Sequence, residues 1–142
     1  MRKIDTEIII NASAEKVWQV LSNFEEHQNW NPFIKSIKCN GNVGDSLTVT
    51  LCPPGGNAMT FKPTLLKFDE NKELRWKGKV GIKGIFDGEH YFIIEKISDS
   101  QTKFIHGEIF SGILVGFMKG ILDKSELGFA LMNEALKVEC ER

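Results

Sequence analysis

A chain of 142 residues suits a single domain with one core, spanning residues 1–142. At this size it buries roughly 68–70% of its unfolded surface and needs neither disulfides nor a structural metal. The composition, 42% hydrophobic and 26% charged, is ordinary globular, and a net charge of -1 gives no electrostatic reason to favour nucleic acid as a partner. Cys39, Cys52 and Cys140 form no CxxC pair and read as reduced thiols, so cytoplasm is the expected compartment. The apolar run Ile8-Ile9-Ile10 is too short for a signal peptide or an integral membrane segment.

Residues 3–11 read as a strand because three β-branched isoleucines stand in a row. Ser13 is a good N-cap, and Ala14, Val17, Trp18 and Leu21 fall at the spacing of an amphipathic helix of about two turns. Asn23 is the expected cap of a second short helix through Gln28, which Trp30-Asn31-Pro32-Phe33 stops, since a residue before proline avoids the helical region. From Phe33 the pattern changes to period two. Strands are expected over 34–39, 46–52, 59–68, 73–80, 85–97 and 102–111, with a turn at 81–84. From Ile113 to Glu139 no proline occurs, and Leu114, Phe117, Met118, Ile121, Leu122, Phe129, Met132 and Leu136 recur in steps that include threes and fours. That spacing predicts a helix roughly 38 Å long. Gly116, Gly120 and Gly128 each weaken it by roughly 1 kcal/mol, so it needs a large apolar partner. The expected fold class is α+β: a curved antiparallel sheet of about seven strands wrapped round the C-terminal helix, with two short helices between the first two strands.

Alternation sorts the strand residues by face. In 85–97, Phe86, Gly88, His90, Phe92 and Ile94 oppose a face carrying Asp87, Glu89 and Glu95, which belong in water. In 73–80, Leu74, Trp76 and Gly78 oppose Arg75, Lys77 and Lys79, while Phe61 and Leu65 are similar inward candidates. Phe104, His106, Glu108 and Phe110 share a face of the last strand. A three-residue turn at Ser98 to Ser100 would set His106 opposite Phe92 and Glu108 opposite His90. Such a pair suits general acid–base work, and it suits equally a structural hydrogen bond that orients a ligand. The candidate catalytic residues are therefore His90, His106 and Glu108. No spacing marks them as metal ligands, and the lysines of Lys77 to Gly84 do not form a phosphate loop.

Several phrases stand in a telling order: Ala12-Ser13-Ala14-Glu15-Lys16-Val17-Trp18, Trp30-Asn31-Pro32-Phe33, Val43-Gly44-Asp45, Leu74-Arg75-Trp76-Lys77-Gly78, Gly88-Glu89-His90-Tyr91-Phe92, His106-Gly107-Glu108-Ile109-Phe110, and Gly128-Phe129 with Asn133-Glu134-Ala135. Together they resemble the START-like superfamily, also called helix-grip or Bet v 1-like, and within it the bacterial polyketide cyclase/dehydrase-like group. The resemblance implies a hollow between sheet and long helix for a small hydrophobic or amphipathic molecule, bound without a cofactor or metal by a monomer or weak homodimer. Trp30 and Phe33 would sit at its mouth. Phe61, Trp76, His90, Phe92, His106 and Glu108 would line the sheet side, with Phe110, Leu114, Met118 and Leu122 closing it from the helix side. Two alternatives stay open: a cofactor-independent cyclase or dehydratase of polyketide-like aromatic substrates using His90, His106 and Glu108, and a protein-interaction module with a filled core.

Overall fold

The computed structural model describes residues 1–79, 84 and 87–142. The expected strand ends at Val80 and Ile85, the turn over 81–83 and the inward place of Phe86 lie outside the described residues. Strand β1 (Arg2–Ile10) leads into helix α1 (Ala14–Ser22), a 3-10 turn (Phe24–Glu26) and the single turn of α2 (His27–Trp30). Strands β2 (Ile34–Lys38), β3 (Thr48–Leu51), β4 (Met59–Phe61), β5 (Thr64–Asp69), β6 (Glu73–Lys79), β7 (Asp87–Ser98) and β8 (Gln101–Ser111) follow. A second 3-10 turn (Val115–Phe117) precedes the long helix α3 (Lys119–Cys140).

The described strands form two antiparallel sheets, ordered β1-β8-β7-β6-β5 and β2-β3-β4. The single strand expected over 59–68 is broken at Lys62-Pro63, because proline has no N–H for a ladder. The chain on the far side still joins the two sheets: Leu47 N–H donates to the Pro63 carbonyl at 2.8 Å and Leu65 N–H to the Asp45 carbonyl at 2.9 Å.

Ser13 caps α1, its Oγ accepting from the Lys16 N–H at 3.1 Å. Asn23 does not cap the second helix; its side chain makes no capping bond there, and the helical stretch continues to Trp30. Asn31 performs the anchoring, its Oδ1 accepting from the N–H groups of Phe33 and Ile34 at 2.9 Å each. Its amide donates to His27 Nδ1 at 3.1 Å, and His27 Nε2–H donates to the Leu21 carbonyl at 2.6 Å. Thus the corner at Pro32 is tied to α1 through one buried histidine.

The long helix begins at Lys119, not at Ile113. No Ser, Thr, Asp or Asn stands at its start to receive the first N–H groups, and Met118 makes no side-chain cap. Gly112 adopts φ 111°, where the chain leaves β8, and Gly116 and Gly120 add helix-weakening positions. Of the apolar residues expected to face the sheet, Phe117 is therefore 84% exposed and Leu114 and Ile121 are 40% and 39% exposed, while Ile113 is 76% exposed. From Leu122 the periodicity holds: Leu122, Phe129, Met132, Leu136 and Cys140 are buried, and α3 packs on β1, β8 and α1. Gly128 has a packing reason, since a Cβ there would lie 2.3 Å from the Phe33 ring. Tyr91, on the face expected to be wet, is also buried; its hydroxyl donates to Asp5, and Gly107 leaves the room it occupies.

Candidate functional site

The turn between β7 and β8 fixes the polar part of the site. A bulge between Lys96 and Ser98, followed by the pair Ser98–Gln101, places His90 opposite Glu108 and Phe92 opposite His106. His90 and His106 are then diagonal neighbours on the inner face. Their Nε2 atoms lie 2.7 Å apart, so one donates and the other accepts. On the other side of His90, Nδ1 faces Glu108 Oε1 at 3.3 Å. His106 Nδ1 donates to Asn133 Oδ1 at 2.9 Å, and Asn133 Nδ2 donates to Thr6 Oγ1 at 2.8 Å. A buried chain of polar side chains therefore runs from Glu108 through β7 and β8 to α3 and β1.

Aromatic rings hold this chain in place. Phe129 stacks on His106 with centroids 4.2 Å apart, and Phe92 stacks on His90 at 4.7 Å. Burial holds the His106 imidazole well below the usual histidine range; His90 pushes in the same direction and the bond to Asn133 opposes it. His106 is accordingly neutral, with both ring nitrogens engaged.

A cavity of about 80 Å³ opens at the Glu108 end. Its walls are mostly apolar: Trp76, Phe61 and Phe110 supply rings, Val49, Leu51 and Met59 come from the smaller sheet, and Ile121 comes from the first turn of α3. Pro53, Pro63 and Gly78 complete the wall, and the polar lining is His90, Glu108 and Ser125. Gly88 leaves room there for the carboxylate, since a Cβ would lie 2.3 Å from Glu108 Oε2 and displace it. The carboxylate reaches the cavity over that bare backbone.

Five of the residues singled out by sequence meet at this cavity: Phe61, Trp76, His90, Glu108 and Phe110. Phe33, Phe92, His106 and Leu122 do not line it; they are buried and close-packed, Phe33 against Gly128 and Phe129, and Phe92 among Trp76, His90 and His106. Met118 is partly buried against the core and also lies off the lining. Trp30 packs tilted against His27, centroids 4.7 Å apart, and borders a separate open depression with Lys16, Gln19 and Arg142. Alternation reports which way a side chain points, and these point inward, but whether a void survives depends on how the facing rings interdigitate.

Sequence reasoning passed over Asn133, Thr6 and Ser125. The signal was available: Asn133 and Ser125 interrupt the apolar stripe of α3, and Thr6 stands between Ile4 and Ile8 on the inner face of β1. A polar residue on a buried stripe needs a partner. Among the described residues no group of three His, Cys, Asp or Glu side chains is placed to hold a metal ion, and no helix is long and apolar enough to cross a membrane.

Residues 1–126 match the family described as polyketide cyclase / dehydrase and lipid transport. No curated protein matches in sequence. Among solved structures, a START superfamily protein from Mycobacterium smegmatis superposes with TM-score 0.73 at 20% identity, over 98% of this chain and 97% of that one. The Zhui aromatase/cyclase from a Streptomyces species gives 0.78 at 13% identity, over 99% and 94%. A norcoclaurine synthase point mutant from Thalictrum flavum, in complex with a transition-state analogue, gives 0.74 at 16% identity, over 99% and 94%. At these identities the likeness establishes the START fold.

Proposed function

We propose that this chain, which belongs to the polyketide cyclase, dehydrase and lipid-transport family, binds a small, largely apolar ring compound with its one polar group against Glu108 and His90. The observation that carries the reading is the cavity itself, apolar on most sides and polar at one corner. Apolar walls supply affinity by burial, at about 25 cal/mol per Å² removed from water, and the corner orients the ligand. Its volume of about 80 Å³ bounds the ligand. Pockets for drug-sized molecules run from about 300 Å³, and an apolar cavity of about 150 Å³ takes one benzene. At about half that volume the cavity excludes a fused polycycle, and a single ring enters it with part of the ring in the open mouth.

The pairing of Glu108 with His90 at the cavity edge favours a second reading, acid–base catalysis on the bound ring compound. In that reading His106 is not the base, since it is enclosed and both its nitrogens are bonded.

Native mass spectrometry of gently purified protein tests the binding reading through a retained small molecule. Gly88→Ala tests the corner. The added methyl must displace the Glu108 carboxylate, so affinity for an apolar ring with one polar group falls by about tenfold, the worth of one good hydrogen bond. Folding stability changes little, because the atom displaced is the end of a flexible side chain. Unchanged affinity in this variant removes Glu108 from the site.

A further inference from the structure

The hydrogen-bonded chain behind the cavity has a direction, and it can be read from its far end. Thr6 Oγ1 donates its only proton to the His106 carbonyl at 2.7 Å. It can then only accept from Asn133, which places Asn133 Nδ2 on Thr6 and Oδ1 on His106. Facing an acceptor, His106 must carry its proton on Nδ1, and the neutral ring leaves Nε2 as a lone pair. His90 Nε2–H therefore donates to His106 Nε2. The remaining nitrogen, His90 Nδ1, faces Glu108 Oε1, and two lone pairs at 3.3 Å would repel. One proton consequently lies between them, on either atom. In both placements Glu108 Oε2, above Gly88 at the cavity wall, has no proton and offers a lone pair.

We infer that Asn133 and Thr6 are positioning residues for the cavity: they set the direction of the chain, and with it the one proton held between His90 and Glu108, whose free oxygen, Oε2, accepts from ring compounds bearing a hydroxyl. The ligand class rests on the binding reading above; the direction of the chain does not. Neither residue touches the cavity, and each acts through His106. With Asn133 replaced by an apolar residue, nothing holds the proton on His106 Nδ1. The ring can then place it on Nε2 and donate to His90, which reverses the chain: a neutral His90 donates from Nδ1 to an ionised Glu108, and the pair holds one proton fewer, released to solvent.

Imidazole ¹⁵N–¹H correlation spectra of the ligand-free protein test the direction. The expected spectrum has His106 protonated at Nδ1 and bare at Nε2, and Thr6→Val, which is close to isosteric, lowers the Nδ1–H population. A wild-type His106 protonated at Nε2 overturns the inference. Phenol and toluene, which exchange a hydroxyl for a methyl on the same ring, test the selection by titration. The parent prefers phenol by about tenfold, the worth of one good hydrogen bond, and the preference persists in Thr6→Val and Asn133→Leu, where Oε2 still accepts. Equal binding of the two by the parent overturns the selection. Binding of neither by the parent overturns the ligand-binding reading and the selection with it, and the His106 tautomer then decides the positioning claim alone.

Discussion

Phe129→Ala is expected to lower folding stability by about 3–5 kcal/mol, the usual cost of truncating a buried aromatic ring. The ring is fully buried and stacks on His106, meets His90 at 5.0 Å, and presents an edge to Phe33 at 5.4 Å. Truncation therefore removes the apolar cover of two histidines as well as a core contact between α3 and the corner after Pro32. Against a typical total of about 5–15 kcal/mol this is a large fraction. Urea denaturation should show a lower midpoint with little change in slope. A loss below about 1 kcal/mol would mean that the ring does not hold the helix to the sheet.

The second large effect is a loss of stability in acid. Burial pushes His27 down from 6.5 to about 4, against the opposing pull of its bond to the Leu21 carbonyl. The unfolded chain binds a proton at this residue below about 6.5, whereas the folded chain resists until about 4. Between those values the unfolded state holds more protons, so stability is complete above the upper value and falls as pH drops towards the lower one. The displacement corresponds to about 3 kcal/mol. His106 is shifted in the same direction and steepens the fall. His27→Gln should be less stable at neutral pH, having lost the tie between Leu21 and Asn31, and should lose part of the acid slope. Equal slopes for parent and variant between pH 6.5 and pH 4 would show that His27 titrates freely in the folded protein.

The order of elements was legible because each relied on local chemistry: the Ser13 cap, the β-branched run of β1, the alternation of β6 and β7, and the stripe from Leu122 to Leu136. The opposition of His90 to Glu108 matches the expectation although the turn does not: in place of a three-residue turn at Ser98 to Ser100, the pair Ser98–Gln101 closes a two-residue turn, and a bulge between Lys96 and Ser98 restores the register. The helix start was not legible, because periodicity continues through Leu114 and Phe117 while the missing cap and the glycines oppose it. Nor was the size of the cavity. Leu122, Phe92 and Phe33 point inward like true lining residues, yet they fill the interior. A larger side chain at Leu122 would therefore meet a packed core, whereas Ile121 beside it faces the void. The contact between the two histidines depends on rotamers pressed by Phe129 from a residue far along the chain, which no strand pattern records.

The cavity between Trp76, Phe110 and Ile121 is the proposed binding site, with Glu108 and His90 as its polar corner. Chemical-shift mapping during a titration with phenol tests it most directly. Saturable shifts clustered on Trp76, Gly88, His90, Glu108, Phe110 and Ile121 are expected. Shifts clustered instead at Trp30, Lys16 and Arg142, or no saturable shifts at all, would contradict it.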